Sequence, residues 1–227
     1  MRYRFLEKKA VAFRIHKILT AHHADDQAET FLMRWLQGAG LRGLGGMAFE
    51  RKLRPESDIV LVRPLLLMTR KEIEAYARFH RLRYREDATN NSDFFLRSRI
   101  RKLFRRLKKE NPNLEGRTAF NALALQADET YLSKAVDEVW KKHGKFLKKG
   151  AAFALLSYKA LEDAIRYRIL QKMARVLLGE AYALPFETVL KLDEMLRVPG
   201  HPKSFDLPST MGLWKGKDAF KIFKKPG

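Results

Sequence analysis

Between residues 15 and 80 the chain alternates short β-branched runs with longer stretches of helical period, and this constrains its fold most. Ile15 to Ala21 (IHKILTA) reads as a short parallel strand buried on both faces. A helix follows over 25–37, with Phe31, Leu32, Trp35 and Leu36 on one stripe. The glycine-rich stretch GAGLRGLGG, 38–46, ends it, because glycine adopts the positive φ that a C-cap uses. Residues 58–62 (DIVLV) are a second buried strand. Thr69 then opens another helix as a capping box with Glu72, three residues on, and Ile73, Tyr76, Ala77 and His80 form its inner face. Ahead of all this, Tyr3, Leu6 and Ala10 recur at helical spacing over 2–13. Strand, helix, glycine turn, strand, helix is the order that builds a doubly wound parallel sheet.

The pattern changes near residue 92. From there to Glu110 one helix is predicted, with Leu96, Ile100, Leu103, Phe104 and Leu107 on its apolar face. Most of the remainder is cationic: Arg97, Arg99, Arg101, Lys102, Arg105, Arg106, Lys108 and Lys109. Asn111-Pro112 stops it. Beyond lie helices over 118–142, 158–178 and 186–197 and an apolar run at 151–156. Two closing strands, 204–207 and 218–223, are joined through Met211-Gly212. The fold class is therefore α/β: a partial Rossmann-like parallel sheet over 1–112, then a mainly helical second domain over 113–227.

Charge points to the partner. Lys and Arg total 46 against 26 Asp and Glu, a net charge of +20 with a pI near 10.2. A polyanion is the natural counterpart, and nucleic acid is the commonest one. Cysteine is absent, which excludes disulfides, thiolate zinc sites and cysteine-ligated iron–sulfur clusters, and fits a reducing cytoplasm. No apolar run of 18 residues or leader pattern occurs, so neither a membrane span nor a signal peptide is expected.

The chemistry concentrates in Ala21-His22-His23-Ala24-Asp25-Asp26-Gln27-Ala28-Glu29-Thr30. It sits where a parallel strand's carboxyl end turns into a helix, the place where α/β sheets bind ligands. Asp26 and Glu29 share one face of the first turns and together could hold a substrate ammonium. Asp-x-x-Glu is equally a helix-capping arrangement, and the two roles can coexist. His22-His23 beside acids could also ligate a metal, but no matched ligand cluster accompanies them, so no metal site is assigned.

That string is followed in order by FLMRWLQGAGLRGLGGM, RPLLLMTRKEIEAYA and YREDATNNSDFFLRSRIR. In this combination the chain resembles the tRNA(Ile)-lysidine synthetases, PP-loop enzymes of the adenine nucleotide alpha hydrolase-like fold. The resemblance is dense over 1–112 and weaker to the end, through LPFETVLKLDEML and KSFDLPSTMGLWKGKDAFKI. It implies ATP-dependent attachment of free L-lysine to carbon 2 of the wobble cytidine of tRNA(Ile) with a CAU anticodon, through an adenylated tRNA, with ATP and Mg²⁺ as cofactors. It implies catalytic roles for Asp26, Glu29 and Arg101, and substrate or nucleotide contacts for His22, Arg97 and Arg99. Lys102, Arg105, Arg106 and Lys109 are the expected tRNA contacts. Arg63 and Asp87-Ala88-Thr89-Asn90 match blocks read as supporting. A cytoplasmic setting, no membrane contact and room for a homodimer complete the expectation. The family's SGGxDS phosphate loop has no counterpart in these 227 residues, so a chain truncated at its N-terminus and inert alone is expected. Two rivals stand beside this reading. One is another PP-loop enzyme such as a tRNA thiolase, many of which depend on cysteine. The other is a residual RNA-binding module without ATP chemistry.

Overall fold

The computed structural model describes residues 2–54, 56–84, 96–179, 182–199 and 204–225. Asp87-Ala88-Thr89-Asn90 and the predicted start of the cationic helix lie outside them. Two compact units divide the chain, Met1–Glu129 and Thr130–Gly227.

The first unit runs α1 (Arg2–Ala12), β1 (Lys17–Leu19), α2 (Ala24–Leu36), α3 (Leu41–Leu44), β2 (Glu50–Lys52), β3 (Val60–Val62), α4 (Arg70–Phe79) and α5 (Leu96–Leu107). It ends in the first part of α6 (Leu114–His143). The strand order is β1-β3-β2. β1 and β3 are parallel, with Ile18 opposite Leu61, as the strand–helix alternation predicts. β2, which that reading passed over, pairs antiparallel with Arg51 opposite Leu61. Its Glu-Arg-Lys sequence is fully exposed, so backbone pairing defines it and apolarity does not. β1 also departs from the expected strand buried on both faces. It occupies an edge, and of its three residues only Ile18 is buried.

Two small cores hold this unit. Ala10 of α1 packs with Ile18, Leu53, Ile59 and Leu61, and Tyr3 and Leu6 lean on them as the helical spacing predicts. Ala28 and Leu32 of α2 pack with Ile100 and Phe104 of α5. Full burial of side chains like Ile100 and Phe104 is worth roughly 1.5–3 kcal/mol each, which seats the cationic helix against α2. The predicted α2 stripe is only partly right: Leu32 is inside, whereas Trp35 and Leu36 are more than half exposed. In α4 the Thr69–Glu72 capping box forms as expected. The predicted inner face does not, since the helix buries no residue fully and Tyr76 and His80 are exposed.

In the second unit α7 (Leu155–Lys159), α8 (Asp163–Leu178) and α9 (Phe186–Arg197) accompany five strands. These are β4 (Gly144–Leu147), β5 (Gly150–Ala154), β6 (Ser204–Leu207), β7 (Met211–Lys215) and β8 (Ala219–Lys224), in the order β4-β5-β8-β7-β6. Every pairing is antiparallel. Met211-Gly212, read as a connector, begins β7, and the unit carries more sheet than the helical periodicity suggested. Phe153, Tyr158, Ile169, Leu170, Leu213 and Phe220 sit in one continuous core. The division between units falls inside α6, between Glu129 and Thr130, and not at the boundary expected near residue 112.

Candidate active site

The site is built where β1 hands over to α2. Thr20 continues the pairing by donating its N–H to the Val62 carbonyl. His23, in extended conformation, is the N-cap of α2, and its N–H donates to Asp26 Oδ2 at 3.1 Å. The capping role predicted for Asp26 is therefore real. It leaves the other oxygen, Oδ1, to accept from Arg97 Nη2 at 2.8 Å.

One turn on, Glu29 gathers both arginines. Arg97 Nε donates to Oε2 at 2.6 Å and Arg101 Nε to Oε1 at 2.5 Å. The Glu29 side chain is 8% exposed, whereas Arg97 and Arg101 are 41% and 38% exposed. The carboxylate is thus fixed in the wall and the guanidiniums face water. Beside them is a cleft of about 220 Å³ lined by His23, Asp25, Glu29, Arg101, Arg105 and Lys108, among others. Asp25 Oδ2 accepts the N–H of Arg70 at 2.8 Å, which ties the start of α4 to the same rim. Lys108 Nζ reaches Glu115 at 2.8 Å on the far side.

Two titrations are displaced. Burial alone would depress the pKa of the His23 ring, but Asp25, Asp26 and Glu29 outweigh it and raise the value above the usual 6.5. Burial would likewise raise Asp25, but His23 and the Arg70 N–H overcome it and lower the value below 3.8. The raised value favours the positively charged form of His23 at the rim relative to a free histidine. Among the described residues no group of three or more His, Asp or Glu could hold a metal ion. Asp26 and Glu29 supply two carboxylates, the kind of set that holds Mg²⁺ together with substrate phosphates and water and not as an all-protein cage.

The structure thus gathers Asp26, Glu29, Arg97 and Arg101. His22 stays apart, with its Nδ1 2.8 Å from Thr20 Oγ1, and its neighbour His23 lines the cleft instead. Nothing in a His-His doublet tells which ring turns inward; the N-cap position does. Arg99, expected beside Arg97, is exposed on another face of α5, since residues two apart on a helix diverge. Lys102, Arg106 and Lys109 are exposed as an outer stripe. Arg105, expected with that stripe, lines the cleft one turn beyond Arg101. Asp25, Arg70, Lys108 and Glu115 belong to the rim and were not anticipated.

The far side of α2 is clamped. Gln27 donates to the carbonyls of Gly45 and Met47 at 3.3 and 3.1 Å and accepts the Met47 N–H at 2.7 Å. Arg34 Nη1 donates to the carbonyls of Gly43 and Gly46 at 2.7 and 2.8 Å. Gly46 has φ +69°, and a Cβ there would fall 2.6 Å from Gln27 Oε1, so both backbone and space demand glycine. Buried Arg63 donates to the Ala48 carbonyl at 2.6 Å and supports the same loop.

Comparison with known proteins adds the following. The family described as a PP-loop domain matches residues 1–107. The tRNA(Ile)-lysidine synthase of Geobacter sulfurreducens is 36% identical over 198 residues, covering 86% of this chain and 41% of that protein. The bifunctional protein TilS/HprT of Listeria monocytogenes is 32% identical, covering 93% of this chain and 32% of its own length. The tRNA(Ile)-lysidine synthase of a Nostoc species is 31% identical, with 91% and 64% covered. The chain therefore spans less than half the length of the first two. Among solved structures, the U34-tRNA thiolase NcsA of Methanococcus maripaludis aligns over 55% of this chain and 41% of its own, with TM-score 0.44 and 20% identity.

Proposed function

Residues 1–107 match the PP-loop domain family and most of the chain is similar to tRNA(Ile)-lysidine synthases, and on that premise we propose that it acts in lysidine formation on tRNA(Ile) with a CAU anticodon. The reaction is ATP-dependent: the oxygen on carbon 2 of the wobble cytidine takes up AMP, pyrophosphate leaves, and the side-chain amine of lysine displaces AMP. The observation that carries this reading is the pair Asp26 and Glu29 at the strand–helix turn, bridged by Arg97, with Arg101 on Glu29 beside an open cleft.

Each residue has a task in this scheme. Asp26 and Glu29 orient the lysine ammonium, which takes the place of a guanidinium donor. Arg101 and Arg97 then carry positive charge toward phosphate oxygens, where the developing anion of the transition state is stabilised by fixed donors. A carboxylate of the site takes the amine's proton as it attacks. Arg99, Lys102, Arg106 and Lys109 form an outer stripe for tRNA phosphates, and the second unit adds substrate-binding surface. Mg²⁺ enters with ATP, since the described residues offer it no cage. Tyr76 and the other aromatics of α4 have no role in this scheme. The setting is cytoplasmic; among the described residues no helix is long and apolar enough to cross a membrane.

The net charge of +20 and the cationic stripe on α5 also suit a second reading, an RNA-binding module without ATP chemistry. One assay separates the two. The 227-residue chain is incubated with tRNA, lysine, ATP and Mg²⁺, alone and with the part of the Geobacter relative that this chain does not match. Release of AMP and incorporation of lysine are followed. The expected result is neither alone and both on mixing. Incorporation that survives in both Asp26→Asn and Glu29→Gln sinks the carboxylate assignment. No activity in any mixture, with tRNA binding intact, leaves the second reading.

A further inference from the structure

The sheet of the second unit has a second face. Its inner face carries Phe153, Leu213, Phe220 and Ile222 into the core. The register puts the intervening residues on the opposite side. Lys145 faces Ala152, Ala152 faces Lys221, Lys221 faces Trp214, and Trp214 faces Ser204. The next row holds Leu147, Gly150, Phe223, Gly212 and Asp206.

This face is aromatic and cationic at once. Glycine and alanine provide the floor. Trp214 is 43% exposed, with Lys221 Nζ 5.3 Å from its ring centroid. The Phe223 ring lies across Gly212, where a Cβ would approach it to 2.9 Å. Asp206 is ion-paired to Lys225, so the one acid of these two rows is already matched. Lys145 and Lys221 remain as exposed positive charge on a chain that is +20 overall.

Aromatic rings interleaved with lysines on an open antiparallel sheet suit a ligand that is flat and polyanionic. A duplex offers phosphates but hides its bases, and an apolar protein surface has no use for the lysines. We infer that this face binds an unpaired segment of RNA, one base stacking on Trp214 while Lys145 and Lys221 reach the flanking phosphates. Lys221 leaves the indole as the base arrives, its flexible stem carrying the ammonium to the backbone. The choice of RNA over single-stranded DNA rests on the proposed tRNA substrate; the geometry of the face does not.

The test uses the full chain without ATP or lysine, so it is independent of chemistry in the first unit. Binding of a short labelled oligouridine and of a blunt RNA duplex is measured over a salt series. Trp214→Ala should weaken oligouridine binding roughly 5- to 150-fold, the range for one stacked base, with little change for the duplex. Trp214→Phe, which keeps a ring, should retain most of the affinity and guards against a folding defect. Lys145→Ala and Lys221→Ala should each lower the log–log salt slope by roughly 0.7. Unchanged oligouridine affinity in Trp214→Ala overturns the inference, and so does an equal loss on the duplex. A Trp214→Ala variant that turns a dimer into a monomer overturns it too, since the face is then a contact between copies. Lysine incorporation that fails while Trp214-dependent binding persists counts against the proposed reaction and leaves this face standing.

Discussion

Each unit holds one carboxylate clasped by arginines, and the two clasps differ in everything but their chemistry. In the second unit Asp193 accepts from Tyr158 Oη at 2.8 Å, Arg166 Nε at 2.7 Å and Arg197 Nε at 2.8 Å. Asp193 and Arg166 are 3% and 6% exposed, and Arg166 also reaches Asp163 and the Leu161 carbonyl. Burial pushes the Tyr158 hydroxyl pKa up, assisted by the adjacent Asp193. In the first unit Glu29 is as buried as that, but its arginines stand more than a third in water beside a cleft. A closed clasp resists exchange because each partner left behind would be buried and unpaired. An open clasp can trade a guanidinium for another cation, because the displaced arginine returns to solvent at little cost. Arginine–carboxylate geometry alone does not mark a functional site, nor does one exposed arginine, since Arg197 is 45% exposed; what separates the clasps is that buried Tyr158 and Arg166 close round Asp193, whereas both arginines on Glu29 stand in water beside a cleft.

The widest separation between the two should come from deleting an acid. Asp193→Ala should cost about 3–5 kcal/mol of unfolding free energy in denaturant titration, as buried pairs do when one partner goes. A loss below about 1 kcal/mol would erase the contrast. Arg101→Ala should do the reverse in the reconstituted lysine-incorporation assay. Turnover should fall by roughly 10²–10³, the scale for one lost transition-state donor, while stability moves by less than about 1 kcal/mol. Equal damage to stability and turnover would make the first clasp structural as well. Within α5, Arg105→Ala should lower turnover and Arg106→Ala should leave it unchanged. Arg106→Ala should instead reduce the salt slope of tRNA binding by roughly 0.7–0.9. Identical behaviour would contradict the assignment of Arg105 to the cleft.

The smallest effect is a pH dependence. The folded pKa of His23 is raised, so its contribution to stability is complete below 6.5 and is lost as pH rises through the folded value. Asp25 is lowered, so its contribution is present above 3.8 and is lost as pH falls through its folded value. Thermal unfolding of the parent and of His23→Gln should converge at alkaline pH and diverge toward mildly acidic pH. Parallel curves would remove the charge coupling at the rim.

Much of this was legible in the chain's own pattern, for identifiable reasons. Asp26 and Glu29 are close in sequence on one helix, so their shared face follows from helical period alone. The meeting of Glu29 with Arg97 and Arg101 does not, because it depends on how Ile100 and Phe104 dock α5 onto α2. β2 and β7 escaped because backbone pairing to an adjacent strand defines them and side-chain pattern does not, with an exposed Glu-Arg-Lys in one case and a Met-Gly start in the other. The Asp193 clasp escaped for a similar reason. Arg197 is one turn from Asp193, an ordinary surface-pair spacing, while Tyr158 and Arg166 come from other helices.

The clamp on the far side of α2 sets a timescale. Met47 gives its amide hydrogen to Gln27, and Gln27, Arg34 and Gln126 hold the carbonyls around it. Hydrogen–deuterium exchange at Met47 therefore requires α2 and the 43–47 loop to separate, so that single amide reports how often the helix bearing Asp26 and Glu29 lets go. If it exchanges as slowly as the buried strand β3, the carboxylates wait in place between turnovers, and an arriving ligand finds their conformational entropy already spent in folding.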